Sequence, residues 1–310
     1  MQPILFQIGS LTIYSYGLMT FVKLVVIVGI IVLTARKDWQ PDLRAKYGFG
    51  LVALQAIFVI LLAPLAFIVY VVLYVRDREN RYHFYFGAYP FILFVAFAAG
   101  RIFAAVYYGQ SPFAYGFFSG GINIWAVYIA ILIMLVVFAL LKLIPFFKTL
   151  DVALAAGCVG YAIGKLGCFL AGCCHGTPCD LPWCLSFPAG TQAAFEFQAE
   201  RIASTPVTSL PVHPLQLYEF FLYLGLGLVA LVLINRKKKL SGIIGLVGML
   251  IAIAINLALS PLRAGPILGF WENYKMSLIA AIVIGFALIA YLVIRSIVNK
   301  EETVDTEGTG

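Results

Sequence analysis

The chain has 310 residues, of which 63% are hydrophobic and 11% charged, and its formal net charge is +7. A soluble domain of this length cannot hide so much apolar surface, so the composition excludes a water-soluble enzyme and predicts an all-α polytopic membrane protein. The basic residues lie in short stretches between apolar runs, which reads as membrane orientation and not as a nucleic-acid-binding face.

About eight apolar runs reach the roughly 18 residues that a span needs: 10–35, 48–75, 88–109, 122–146, 151–172, 215–235, 241–262 and 275–295. In lipid each backbone polar group must find its partner inside the segment, so these runs are expected helices. Met1 to Ser10 has no basic n-region and no small-residue cleavage site follows, so the first run is expected to be retained as a span. Basic clusters at Arg36, Lys37, Arg44 and Lys46, at Arg76, Arg78 and Arg81, at Lys142 and Lys148, at Arg236 to Lys239, and at Arg295 and Lys300 mark the cytoplasmic side. Loop 110–121 has no charge, and loop 173–212 carries Asp180, Glu196, Glu200 and the single Arg201; both are expected outside.

Run 48–75 has basic residues at both ends. It reads as a re-entrant hairpin bent at Pro64 or as a full span. The hairpin leads, because it leaves an outside N-terminus, about seven full spans and an inside C-terminus. The expected parts are a transmembrane region 1–172, an extracytoplasmic cysteine-rich loop 173–212, a C-terminal transmembrane region 213–298, and a disordered acidic tail 299–310.

Polar residues within such runs are costly and mark function. Tyr14 and Tyr16 sit near the outer end of the first run, as interfacial aromatics do. Lys23, deep in that run, either snorkels to an interface or faces an anionic headgroup. Arg101 after Gly100 either pairs inside the bundle or clamps a phosphate, which its guanidinium fork matches. Asp151 opens run 151–172 and reads as a helix N-cap.

His213-Pro214-Leu215-Gln216-Leu217-Tyr218-Glu219 starts a helix, with Pro214 suited to its first position. Gln216 and Glu219, three apart, share a face. The helix start points its positive dipole end outward, where it attracts anions.

Five of the six cysteines fall between Cys168 and Cys184, with His175 among them. Three readings stay open: disulfides among Cys173, Cys174, Cys179 and Cys184 in an oxidising compartment; an activated thiol or redox dithiol at Cys173 or Cys174 beside His175; and a metal site, although C-x-x-C pairs are absent. Cys158 and Cys168, inside a run, read as packing residues.

Several stretches resemble, in order over roughly 1–296, the prolipoprotein diacylglyceryl transferase family. They are Pro3-Ile4-Leu5-Phe6-Gln7-Ile8-Gly9 with Tyr16-Gly17-Leu18-Met19, Gly100-Arg101-Ile102, Gly120-Gly121-Ile122-Asn123, Gly164-Lys165-Leu166-Gly167-Cys168-Phe169, the 213–219 stretch, and Arg263. The resemblance implies transfer of the diacylglyceryl group of phosphatidylglycerol to a lipobox cysteine thiol, with glycerol phosphate leaving, at the outer leaflet of the bacterial inner membrane. The partners it implies are an anionic phospholipid and a prolipoprotein. It implies lipid-phosphate contacts from Tyr16, Lys23, Arg101, Lys165, Arg263, Gln216 and Tyr218, and proton handling by His213 or Glu219. No cofactor and no metal belong to this reading. The chain departs from the family at Trp125, where a histidine is usual, at Lys165 for arginine, at Cys168 for asparagine, and at Asn256 and Ser260. On this view Cys173, Cys174 and His175 stand in for the lost histidine. Two other readings are a family member that binds lipid without turnover and a membrane thiol oxidoreductase. A transporter ranks lower, since no internal repeat and no matched pair of broken spans is visible.

Overall fold

The computed structural model describes residues 4–8, 11–39, 68, 72, 81–107, 124–141, 144–197, 208–236, 241–264 and 267–307. Apart from Ile68 and Val72, run 48–75 lies outside these residues, as do loop 110–121 and the Gly120–Asn123 stretch. The described chain is mostly helical, with one small hairpin, β1 (Ile4–Ile8) and β2 (Leu11–Tyr14), and an irregular loop after the fourth long helix. The strands pair antiparallel with Ile8 opposite Leu11 and Gln7 opposite Thr12. Gly9 and Ser10 stand between them in sequence, the two-residue spacing that closes hairpins. The first apolar run therefore starts its helix at Ser15, later than the sequence pattern indicates.

The helices are α1 (Ser15–Trp39), α2 (Arg81–Tyr107), α3 (Ile124–Leu140), α4 (Phe146–Ala171), the five-residue α5 (Gln192–Glu196), α6 (Leu215–Arg236), α7 (Ile243–Leu259), extended by a 3-10 turn (Ser260–Leu262), and α8 (Ile267–Glu307). Among the described residues four helical stretches are long and apolar enough to cross a bilayer: Phe146–Ala171, Leu215–Arg236, Ile243–Leu262 and Tyr274–Ile294. Gly17–Ile31, Phe91–Val106 and Ala126–Leu140 are shorter apolar helices. The chain is a polytopic membrane protein. Ile279, Ile282, Val283 and Phe286 of α8 are all more than half exposed, a surface that acyl chains cover at no cost and water does not.

One expectation is corrected here. Asp151 is no N-cap: α4 begins five residues earlier at Phe146, after Pro145, and Asp151 is buried inside it. Among the described residues α8 runs on to Glu307. A helix already nucleated by a long apolar segment extends one hydrogen bond at a time, which costs far less than starting anew.

The chain divides into two compact units, 24–156 and the remainder, 1–23 with 157–310. In the first, α2 packs against α3. Its core holds Ile27, Ile31, Ile92, Leu135, Phe138, Ile144, Val152 and Ala156. Arg101, on α2, is buried in this unit.

In the second unit α7 packs against both α6 and α8. Gly227 and Ala230 on α6 and Gly245 and Gly248 on α7 are buried small residues, the kind that lets helix backbones approach closely. Tyr223 of α6 donates its hydroxyl hydrogen bond to the Ala252 carbonyl at 3.0 Å.

The loop after α4 has a core of its own, Phe187, Ala193 and Val212, with Phe169 and Phe197 packed on it. Thr191 caps α5 by accepting from the Ala194 N–H at 3.3 Å. Ser209 accepts from the Phe187 N–H at 2.9 Å. So 173–212 is folded in its described parts.

Candidate functional site

The outer end of α4 is closed by its own sequence. The Gly172 N–H bonds to the Phe169 carbonyl at 3.2 Å and the Cys173 N–H to the Cys168 carbonyl at 3.0 Å. This is the paired bonding of a Schellman cap, with Gly172 left-handed at φ +68°. A side chain there would also strike Thr191, whose Cβ lies 2.5 Å from the ideal Cβ position. Cys174 is left-handed as well, at φ 57°, the only non-glycine so placed among the described residues.

The chain then runs as a short ladder between two other segments. Gly176 N–H bonds to the His213 carbonyl at 2.9 Å, His213 N–H to the Thr177 carbonyl at 3.0 Å, and Thr177 N–H to the Leu262 carbonyl at 2.9 Å. The approach needs glycine: a Cβ on Gly176 would sit 2.6 Å from His213 Cβ and 2.7 Å from the Leu262 oxygen. This ladder brings together the end of α4, the start of α6 and the segment after α7.

At their meeting point lies Glu219, 1% exposed. Its Oε2 is 2.6 Å from Lys165 Nζ. Its Oε1 accepts from Arg263 Nη2 at 2.5 Å and from the Tyr161 hydroxyl at 3.0 Å. Lys165 also lies over the Tyr161 ring, 5.0 Å from its centroid, and that ring packs against Tyr223. Two cations on one carboxylate leave a net positive charge. Arg263 is the exposed partner, with 30% of its side chain open to the surroundings. Burial lowers the Arg263 pKa, but the charge and hydrogen bond of Glu219 together with Tyr161 and Cys174 outweigh it and the net shift is upward. Lys23 passes beside Gly164, its Cδ 3.3 Å from where a Cβ would stand, so the glycine leaves room for the lysine stem.

Gln216, fully buried, donates to the Cys173 carbonyl at 2.7 Å. Its Oε1 has no hydrogen-bond partner among the described residues. The face shared by Gln216 and Glu219 thus points into the bundle. His213 and Tyr218 point elsewhere, into a groove of about 540 Å³ lined also by Leu181, Trp183 and Leu262. His213 Nδ1 is 3.4 Å from the Tyr218 hydroxyl.

Cysteine chemistry divides in two. Cys179 and Cys184 form a disulfide; Cys158, Cys168, Cys173 and Cys174 are free. Of the disulfides expected among Cys173, Cys174, Cys179 and Cys184, the Cys179–Cys184 bridge is formed, and Cys173 and Cys174 are not joined. The Cys168, Cys173 and Cys174 sulfurs lie within 4.8 Å of one another. Hydrogen bonds from the Cys168 and Cys173 thiols, with the charges of Lys165 and Arg263, hold Cys174 well below the ordinary thiol range.

His175 turns away from these thiols. Its ring is 2% exposed, with Nδ1 3.1 Å from the Gly176 carbonyl, Nε2 3.3 Å from Glu196, and Phe187 and Phe197 against it.

The structure thus brings Lys165, Glu219, Arg263, Gln216 and Cys174 to one place, and sets His213 with Tyr218 in the adjoining groove. Arg101 belongs to the other unit. The Tyr16 and Trp125 side chains lie outside the described residues. Asn256 and Ser260 bond to each other through Ser260 Oγ and the Asn256 carbonyl at 2.8 Å. Sequence reasoning missed Tyr161, although its place four residues before Lys165 puts both on one helix face. It also assigned Cys168 to packing, because position inside an apolar run hides what the next turn folds against it.

The family described as prolipoprotein diacylglyceryl transferase matches residues 3–295. The chain belongs to that family. It is 35% identical over 71 residues to the phosphatidylglycerol–prolipoprotein diacylglyceryl transferase of Rhodopirellula baltica, covering 23% of this chain and 14% of that protein. It is 32% identical over 141 residues to the protein of that name from Bordetella avium, 44% of this chain and 46% of the other. The Dehalococcoides mccartyi (strain BAV1) protein of the same name is 26% identical over 301 residues, 94% of this chain and 91% of the other. The first two matches span less than half of those relatives, and the third nearly all of both chains. Within the prolipoprotein diacylglyceryl transferase match lie Lys23, Tyr161, Lys165, the three clustered thiols, Gln216, Glu219 and Arg263.

Proposed function

We propose that this chain transfers the diacylglyceryl group of phosphatidylglycerol to a cysteine thiol of a prolipoprotein. The observation that carries the reading is the pair of cations, Lys165 and Arg263, gathered on the single buried carboxylate of Glu219. In the reaction a thiolate attacks the terminal carbon of the diacylglycerol. The carbon–oxygen bond to phosphate breaks, and its electron pair leaves on glycerol phosphate. A phosphodiester with one negative charge becomes a monoester with two. Cations beside that phosphate gain most as the charge develops, which is the differential binding that lowers a barrier. Arg263, partly exposed and able to bind two oxygens at once, meets the phosphate; Lys165 and Glu219 orient it. Lys23 and Tyr218 flank the headgroup. His213 takes part in proton transfer from the groove.

The site faces the outside of the bacterial inner membrane. It lies where α4 ends and α6 begins, and the basic residues lie at the opposite helix ends, Lys148 in α4 and Arg236 in α6. Twenty-two residues of α6 span about 33 Å, enough to separate the two faces of a bilayer.

The test uses the purified chain with headgroup-labelled phosphatidylglycerol and a peptide bearing a lipobox cysteine. Glycerol phosphate release that needs the thiol, and that falls at least about a hundredfold in Arg263→Gln, supports transfer. Lipid binding without release would replace this reading with that of a binder.

A further inference from the structure

We propose that Cys168, Cys173 and Cys174 hold one Zn²⁺ ion, with a fourth position left open to an incoming thiol. The sequence left a metal site open as one of three readings although the sulfurs show no C-x-x-C spacing; the fold assembles them by another route. Cys168 comes from the last turn of α4, and the Schellman cap with two left-handed residues reverses the chain so that Cys173 and Cys174 fall back over it. A left-handed cysteine is a strained residue held by its surroundings, a feature that concentrates at sites with a task.

The geometry is close to that of a thiolate site. Sulfurs about 2.3 Å from one tetrahedral ion stand about 3.8 Å apart. Here all three lie within 4.8 Å of one another, so the remaining adjustment is within reach of side-chain rotation. Three soft thiolates select an ion such as Zn²⁺ over Mg²⁺ or Ca²⁺. Three thiolates around a dication leave one net negative charge, and Lys165 and Arg263, both electrostatically coupled to Cys174, offset it. Gln216 holds the Cys173 backbone from behind at 2.7 Å, as the partners of metal ligands do. Burial is graded: Cys168 is buried, Cys173 half-buried and Cys174 exposed, so the cluster opens toward the surface on one side. Three protein ligands and an open position are the pattern of a reactive zinc site, and the closed four-ligand pattern is that of a structural one. The other sulfur group near a histidine, Cys179 and Cys184 with His213, offers no such ligands because its two cysteines are joined.

What fills the open position rests on the transferase reading. A thiol that coordinates Zn²⁺ gives up its proton. The acceptor cysteine would release that proton to water at the exposed side and present its thiolate to the lipid. The chain would then need no histidine at the Trp125 position for that step.

The experiment measures metal in the full-length chain purified in detergent under reducing, zinc-supplemented conditions and then freed of loosely bound ions. About one zinc per chain is expected for wild type and for C158S, falling to less than about a tenth in each of C168S, C173S and C174S. An independent measurement on wild type avoids any folding defect: a chelator should expose three further thiols to alkylation, located by mass spectrometry at these positions. Replacing Zn²⁺ with Co²⁺ should give a sulfur-to-cobalt absorption band that a lipobox peptide shifts and its serine analogue does not. A wild-type chain that retains no zinc, or that carries a disulfide within the trio, overturns the proposal. Zinc without glycerol phosphate release would remove the transferase reading and leave the site. Release from zinc-free protein would do the reverse.

Discussion

A carboxylate that is 1% exposed is costly to bury without cations beside it. Glu219 has two of them, and a hydroxyl besides. Removing one member of a buried ion pair costs about 3–5 kcal/mol, because the other charge is left without compensation. Glu219→Gln should therefore lower the melting temperature of the detergent-solubilised chain as well as its turnover, since Lys165 and Arg263 then repel each other with nothing between them. The double change Lys165→Met with Glu219→Gln should recover part of the lost stability and none of the activity, read in a thermal-shift series beside the release assay. Equal destabilisation in the single and the double variant would show that the pair is not coupled as drawn. The individual candidates here were legible in the sequence because charged and amide side chains stand out in apolar runs. Their pairing was not: Lys165 and Glu219 are far apart along the chain, and no local rule brings them together.

At the scale of elements, the loop ladder does the assembling. Gly176 lies between the His213 and Leu262 segments at distances that exclude a Cβ. Gly176→Ala should push these segments apart, loosen Arg263 from Glu219, and raise hydrogen exchange at the Thr177 and His213 amides that the ladder protects. Gly225→Ala on α6, with nothing within 4 Å of its added methyl, should leave exchange and melting unchanged or slightly improved. An innocuous Gly176→Ala would mean the ladder is not what positions the site. The glycine is plain in the sequence, but its reason is a close approach between segments nearly forty and nearly ninety residues away. Element boundaries were blurred for a related reason. Hydropathy reports where a lipid-facing helix can lie, and it is blind to a hairpin at Ile4–Tyr14 or to the turn of α4 that precedes Asp151.

For the whole molecule the testable statement is orientation. Leu210 is exposed in the loop beside the site, and Asn235 is exposed at the far end of α6. With a membrane-impermeant maleimide on cells whose outer membrane has been opened, Leu210→Cys should label directly. Asn235→Cys should label only after the inner membrane is permeabilised. Labelling of both from one side would place the cation cluster and the basic helix ends on the same face and would undo the outer-leaflet assignment.

The amino-acid sequence by itself determined that this chain lives in a membrane, that it is helical, and that its polar chemistry gathers near one end of the α4 and α6 runs. These follow from composition and hydropathy, which act residue by residue and need no partner. It also carried enough of the family's motifs for the resemblance to be seen. The tertiary structure alone decided which cation meets Glu219, that His175 belongs to the loop core, that Cys179 pairs with Cys184, and that Cys168 joins Cys173 and Cys174. Each of those is a contact between segments distant in sequence, set by a left-handed turn, a missing Cβ and the burial of a small aromatic core. No periodicity along the chain encodes such contacts, because they exist only after the segments have closed on one another.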